Sequence, residues 1–538
     1  MAERGFKQPS AMVHSFRQVP TAEIQRSAFK RSRGYKGTFD VDYIYPIFFD
    51  EALPGDTFNV RLQSIIRLST PLHPIMDNLH VDYFFFYVPN RLLWDNWQKF
   101  CGERVDPADS IDYTVPQLDL AATSFSALSL GDYFGLPVGV TGLDINSLHF
   151  RAYNSCYNHW FRDENLIDSV VVDTDDGPDT LTDYVLLKRG KRHDYFTSAL
   201  PWPQKVAADA VDLPLGSSAP VVTGADNSWD SGNTTAMKMF SAAAGAHPAS
   251  YLLLGVATDG EVSASSSGSS ELTLMQPENL HADLSDATAA TINSLREAFQ
   301  LQRMLERDAR GGTRYAEILQ SHFRVESPDH RLQRPEYLGG GTAPVVVSPI
   351  AQTSMTSGTA YQGDLAAVAY SHSSGIGFSK AFVEHGVILG LMNVRADLTY
   401  QDGVDRMWSR QTRYDFYWPA LAHLGEQSIL KKEIYAVGTS ADDDVWAYQE
   451  RWAEYRYGVS KIVGQMRSDH ATSLDAWHLS QDLAACPSFN QSFIEEAVPI
   501  DRVVASATDP PFIGDLWFDV TCVRPMPTFS VPGLIDHF

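Results

Sequence analysis

The twelve residues from Thr57 to Leu68, TFNVRLQSIIRL, alternate as a half-buried strand should. A period of two puts successive side chains on opposite faces of an extended chain, so this segment can bury an apolar face only as a strand of a sheet. Phe58, Val60, Leu62, Ser64, Ile66 and Leu68 form the expected inner face. Thr57, Asn59, Arg61, Gln63, Ile65 and Arg67 form the outer one, where Ile65 alone is both large and fully apolar. Two more β-rich runs flank it, Thr38 to Phe49 (TFDVDYIYPIFF) and Val81 to Val88 (VDYFFFYV). Pro54-Gly55-Asp56 supplies a turn between the first two, and Pro89-Asn90 stops the third. That third run is apolar on both faces apart from Asp82, which suits a strand covered on two sides.

Partner strands are expected near the other end of the chain, at Asp501 to Ala505 and Asp515 to Arg524, with a further one at Val383 to Leu398. Strands clustered at both ends, with a long mixed segment between, predict a Greek-key or jelly-roll sandwich whose loops carry large insertions. The repeated alternation of strand and helix that an α/β fold requires is missing.

With 538 residues, 44% of them hydrophobic and 12% aromatic, the chain has globular composition and can bury a large core. No run approaches the ~20 apolar residues of a membrane span. The amino-terminal segment lacks a continuous apolar stretch, so no secretory signal is expected there. Cys101, Cys156, Cys486 and Cys522 are far apart and show no C-x-x-C spacing, which points to free thiols in a reducing compartment.

The formal charge of −24 is unevenly spread. Residues 1–37 hold eight basic side chains, Arg4, Lys7, Arg17, Arg26, Lys30, Arg31, Arg33 and Lys36, against Glu3 and Glu23. A basic arm with an excess of six therefore precedes a body that carries −30. Residues 206–275 reverse the sign, with seven acids against Lys238, and are rich in Ala, Ser, Gly and Thr. They are expected to form a locally folded acidic insertion that faces water. The densest basic cluster is Lys188-Arg189-Gly190-Lys191-Arg192-His193, for which phosphate, a neighbouring subunit's carboxylates and plain solvation all remain open. Asn90 to Phe100 has the spacing of a short core-packing helix, and Thr291 to Arg310 that of a longer one stopped by Gly311-Gly312. Val170 to Thr180 (VVVDTDDGPDT) does not match a calcium-binding loop and is expected to be a solvated turn.

The spacings of catalytic chemistry are missing: there is no H-E-x-x-H, no G-x-S-x-G, no P-loop and no G-x-G-x-x-G after a strand. Gly339-Gly340-Gly341 lacks the Lys-Ser/Thr of a phosphate-cradling loop and is expected to be a flexible turn. No catalytic residue, cofactor or metal ligand is therefore assigned. The rival from another class is a carbohydrate-active β-sandwich enzyme, in which Trp, Tyr and carboxylates would line a sugar cleft.

Five segments carry a resemblance that spans nearly the whole chain: HDYFTSALPWPQ (193–204), LERDARGGTRYAEILQSHF (305–323), SPDHRLQRPEYLGGGTAP (327–344), RMWSRQTRYDFYWP (406–419) and VRPMPTFSVPGLIDHF (523–538). With these the chain resembles the major capsid proteins of gokushoviruses, single-stranded DNA phages of the Microviridae. The resemblance implies a mainly β fold, a single eight-stranded antiparallel jelly roll with long loop insertions containing some helices. It implies sixty copies in a T=1 icosahedral shell around a circular single-stranded DNA genome. Internal scaffolding and DNA pilot proteins would be partners, and the variable insertion would protrude at the three-fold axes. The chain would reside in the virion and, during assembly, in the host cytoplasm. Together with the charge distribution this makes Arg26, Lys30, Arg31, Arg33, Lys36, Lys188, Arg189, Lys191 and Arg192 candidate DNA ligands. Asp226, Trp229, Asp230, Asp259 and Glu261, in the insertion, become candidates for contact with a host surface receptor.

Overall fold

The computed structural model describes residues 25–203, 292–354, 362–506 and 509–529, together with short strands between 221 and 282. Five strands open the chain: β1 (Ser27–Lys30), β2 (Arg33–Phe39), β3 (Tyr45–Ala52), β4 (Thr57–Leu68) and β5 (Leu79–Pro89). Six short ones follow: β6 (Val221–Thr223), β7 (Met239–Ser241), β8 (Leu253–Val256), β9 (Val262–Ser265), β10 (Met275–Pro277) and β11 (Leu280–Ala282). Then come β12 (Glu336–Pro344), β13 (Val346–Ala351), β14 (Leu365–Ala381), β15 (Gly386–Ala396), β16 (Glu426–Leu430), β17 (Val445–Glu450) and β18 (Phe512–Arg524). The chain divides into two compact units, Met1–Lys205 with Arg307–Phe538, and Val206–Glu306.

The first unit is built on two antiparallel sheets. In the first sheet β18 lies between β4 and the end-to-end pair β1 and β2, and β14 and β13 continue beyond β4. The second sheet has the order β12-β5-β15-β3. Successive strands from β2 to β5 alternate between the sheets, and the last strand returns beside the first, which is the jelly-roll path. The alternation of β4 is borne out: Phe58, Val60, Leu62, Ser64, Ile66 and Leu68 are buried. They meet Val81, Tyr83, Phe85, Ile388, Met392 and Val394 of the second sheet in the central core. The one hydroxyl on the inner face of β4 is satisfied there, Ser64 Oγ lying 2.7 Å from Tyr83 Oη.

The second sheet is covered on its other side as well. Phe86, Val88, Leu389 and Leu391 pack against Trp94 and against Phe150, Tyr153 and Tyr157 of the Leu148–Trp160 helix. All eleven residues of β15 are consequently buried, whereas every second residue of β4 from Asn59 to Arg67 is exposed. A third cluster, with Tyr195, Phe196, Ile429, Trp446 and Phe493, lies in the long insertions. The second unit contains nested antiparallel pairs, β6 with β11, β7 with β10 and β8 with β9.

Several local expectations change. The Thr38 to Phe49 run is two strands in opposite sheets, turned through Asp42, which takes φ +75° and donates its N–H to the Val394 carbonyl. A uniformly β-forming run has no local marker for such a corner. Asp501 to Ala505 is no strand: Ile500–Arg502 is a single 3-10 turn, and Val504 pairs only in an isolated bridge to Pro71. Asn90 to Phe100 splits into a 3-10 turn and the Trp97–Phe100 helix, with Leu93 and Trp94 fully buried between them. Gly339-Gly340-Gly341 lies inside β12, because a Cβ on Gly340 would stand 2.2 Å from the Tyr83 carbonyl oxygen. The glycines permit close approach of two backbones there, which is their other common use.

The acidic turn after Val170 is only partly solvated. Asp179 is buried and accepts from Arg151 Nε at 2.7 Å and from Tyr184 Oη at 2.7 Å. Burial pushes the Asp179 carboxyl up, but the Arg151 guanidinium outweighs it and holds it below the ordinary aspartate value. Asp176 accepts from the Trp94 indole N–H at 2.6 Å.

Candidate nucleic-acid interface

From Ser27 onward the basic segment enters the sheet itself, while residues 1–24, with Arg4, Lys7 and Arg17, lie outside the described residues. Beyond Lys30 the register is interrupted, Arg31 donating its N–H to the Val520 carbonyl at 2.9 Å and Ser32 Oγ donating to Asp519 Oδ1 at 2.8 Å. The interruption sends Arg31 and Arg33 across the edge of the sandwich to the nearly buried Asp50. Arg31 Nη1 lies 2.8 Å from Asp50 Oδ1, and Arg33 Nη1 lies 3.1 Å from Oδ2. The Arg33 guanidinium also covers the Phe48 ring at 4.6 Å. Arg524 approaches the same carboxylate and pairs at 3.0 Å with the fully buried Asp56. Arg31 and Arg33 thus close a strand edge over a carboxylate. The remaining candidates of this segment are freer. Arg26 bonds the Gly55 carbonyl and, at 3.1 Å, Thr57 Oγ1, Lys30 is exposed, and Lys36 sits 3.5 Å from Asp515 with both side chains largely in water. Such an exposed pair contributes little to stability and leaves the charge available.

The cluster at Lys188 to Arg192, dense in sequence, is dispersed in space. Arg189 Nη1 donates to Asp82 Oδ2 at 2.6 Å, and its guanidinium lies over the Phe84 ring. Lys191 is buried, donates to Gln481 Oε1 at 3.0 Å and to the Phe493 carbonyl, and lies over the Phe493 ring at 4.3 Å. Burial pulls its ammonium down to about 8. Lys188 rests on the Tyr43 ring at 5.2 Å, and Arg192 is exposed. The run forms no continuous basic patch, because its backbone passes between the sandwich and the third cluster, where alternate side chains turn inward. Asp226, Trp229, Asp230, Asp259 and Glu261 lie outside the described residues.

Sequence inspection missed the surface beside the basic strands. The outer face of the first sheet carries Lys30, Lys36, Arg61 and Arg67 together with Ile65, Tyr370, Ile513 and Trp517. The alternation of β4 already put Arg61 and Arg67 on that side. That Tyr370 and Trp517 join them depends on the pairing of β4 with β14 and β18, which no local pattern specifies. Among the described residues no three His, Cys, Asp or Glu side chains are grouped so as to hold a metal ion, and no helix is long and apolar enough to cross a membrane.

The comparisons agree with one another. The family model described as "Capsid protein (F protein)" matches residues 17–534. The chain is 50% identical over 542 residues to capsid protein VP1 of Bdellovibrio phage phiMH2K, covering 98% of each chain. It is 42% identical over 594 residues to capsid protein VP1 of Chlamydia phage 1, covering 99% of each. With capsid protein VP1 of Spiroplasma virus 4 the identity is 35% over 557 residues and the coverage 98% of each.

Proposed function

The chain belongs to the capsid protein (F protein) family, and from that premise we propose that sixty copies close into a T=1 shell around a circular single-stranded DNA genome. As a capsid protein it is a structural component of the virion and not an enzyme, which removes the carbohydrate-active alternative. Internal scaffolding and DNA pilot proteins would serve as partners while shells form in the host cytoplasm, and a host surface receptor would be met through the insertion at 206–275.

The observation that carries multi-copy closure is a band of aromatic side chains, with Arg413 among them, left in water by a single chain. Trp408 is 73% and Tyr414 69% exposed, and Phe416, Tyr417, Trp418, Tyr455 and Tyr457 are also exposed. Arg410 stacks on Tyr455 at 4.3 Å and Arg413 on Trp418 at 4.7 Å. Rigid aromatic and arginine groups of this kind are enriched where proteins meet, and an obligate interface commonly buries more than ~2,000 Å². Sedimentation and electron microscopy of purified particles should find closed shells made of this chain. Replacing Trp408 and Tyr414 together by Ala should lower the yield of shells at least about tenfold while the melting temperature of the unassembled chain stays within ~2 °C. A chain found only as a monomer, in wild-type preparations as well, would refute closure.

A further inference from the structure

We propose that the bare outer face of the first sheet is a floor on which single-stranded DNA lies, its bases stacked on Trp517 and Tyr370 and its phosphates held by Arg61 and Arg67. The proposal rests on the genome-enclosing role proposed above and names the surface that meets the strand. Among the described residues one sheet of the sandwich is covered on both sides, the other on one only. On the open side Ile65 and Ile513 are each 59% exposed, Trp517 is 49% and Tyr370 44% exposed.

The register sets out how these groups alternate. Across the strands one row reads Thr38, Ile513, Arg67, Tyr370. The next reads Lys36, Asp515, Ile65, His372, and the third Gly34, Trp517, Gln63, Ser374. Then come Asp519, Arg61 and Gly377, and last Lys30 with Thr521, Asn59 and Ser379. Arg67 and Arg61 are six residues apart on β4, about 20 Å, with Trp517 between them one strand over. The indole lies beside Gly34 of the neighbouring strand, its ring at an ordinary contact distance of 3.5 Å from where a Cβ would stand.

Charge favours a nucleic acid over a protein as the occupant. Arg61, Arg67 and Lys30 make no ion pair or hydrogen bond through their side chains among the described residues. The face carries four basic groups, Lys30, Lys36, Arg61 and Arg67, against Asp515 and Asp519, an excess of two on a chain whose formal charge is −24. Asp515 is engaged by Lys36 and Asp519 by Ser32. A dry interface between copies excludes unpaired charge from its centre. Here each exposed isoleucine stands beside a charged residue in register, Ile513 beside Arg67 and Ile65 beside Asp515. Aromatic rings interleaved with free cations are how sequence-tolerant single-strand binding is built. The basic strands β1 and β2 place Lys30 and Lys36 on this same face.

The test uses the full-length chain and a fluorescent oligothymidylate about twenty nucleotides long, with affinity measured over a range of salt. Trp517→Ala should weaken binding about tenfold or more without altering the salt slope, and Trp517→Phe should recover most of the loss. Arg61→Gln with Arg67→Gln should reduce the slope of log affinity against log salt by about 1.4. Photocrosslinking of the wild-type chain to 5-iodouracil-substituted oligonucleotide, which needs no variant to fold, should mark Trp517 or Tyr370. Wild-type affinity in both variants, with crosslinks elsewhere, would overturn the floor while leaving genome enclosure standing. A wild-type chain that binds no oligonucleotide would overturn both. Variants that bind normally but no longer form shells would show the face to be an interface between copies, and the proposal would fall.

Discussion

At the scale of single residues, the sandwich gathers charge at the end where Asp82 lies. Asp82 accepts from Arg189 at 2.6 Å, from Arg395 at 2.7 Å and from Thr342 at 2.6 Å. Burial opposes its ionisation, yet these donors outweigh it and hold the carboxyl below the ordinary value. Glu496, equally buried, has no such set: its Oε2 has no hydrogen-bond partner among the described residues, and burial together with the nearby Asp42 pushes its carboxyl up to about 8. Burial likewise pushes Asp42 up to about 7. Both folded values lie above those of an unfolded chain, near ~4. At these two carboxyls the folded state therefore holds more protons than the unfolded one between about pH 4 and 8, and their contribution to stability falls as pH rises through that window. Glu496→Gln keeps the shape and removes one titration. Denaturant melts between pH 5 and 9 should show a flatter decline for this variant than for wild type. Parallel curves would mean that Glu496 ionises unhindered. None of these environments could be read from residue types, since Arg189 and Arg395 hydrogen-bond to Asp82 but act on Glu496 only through space.

At the scale of elements, the strands that the sequence revealed are those with a solvent-facing side or a doubly buried apolar run. β4, β5, β15 and β18 fall close to where their patterns put them. β12 and β14 carry glycines that mimic turns. A Cβ on Gly377 would stand 1.9 Å from the Val60 carbonyl oxygen, next to the register shift between Ser374 and Ile376. At both Gly340 and Gly377 the obstacle is backbone of a neighbouring strand, which cannot rotate away. Gly340→Ala should therefore destabilise by about 3 kcal/mol or more, or abolish folding, because the strand must separate from β5. Gly458→Ala, where a Cβ meets nothing within 4 Å, should change stability by no more than ~0.5 kcal/mol in the same chemical-denaturation assay. Comparable losses at both positions would contradict the pairing of β12 with β5.

At the scale of the whole molecule, the segment 206–275 belongs to a compact unit of its own whose strands pair with one another as nested hairpins. β6 and β11 bring Val221 and Ala282 into register, so the ends of most of the insertion are already close together. Closing such a loop costs only slightly more as it lengthens, and shortening it should be tolerated. Replacing 206–275 by a short Gly/Ser linker should leave shells forming while attachment to host cells falls at least about tenfold, as expected if its acidic surface faces outward, away from the genome. Loss of shells with the shortened chain would instead make the segment a clamp between copies.

The sequence by itself determined the β class, the inner and outer faces of β4, and the charge contrast between the amino-terminal segment and the body. All of these are properties of neighbouring residues, set by side-chain period and composition. The tertiary structure alone decided which strands meet. It joined the first strands to the last, sent Arg31, Arg33 and Arg189 to buried carboxylates, drew Lys191 into the interior, and laid Trp517 and Tyr370 beside Arg61 and Arg67. The physical reason is that a basic side chain has the same local signature whether it faces water or a distant aspartate. Its role depends on desolvation and on partners brought from elsewhere in the chain.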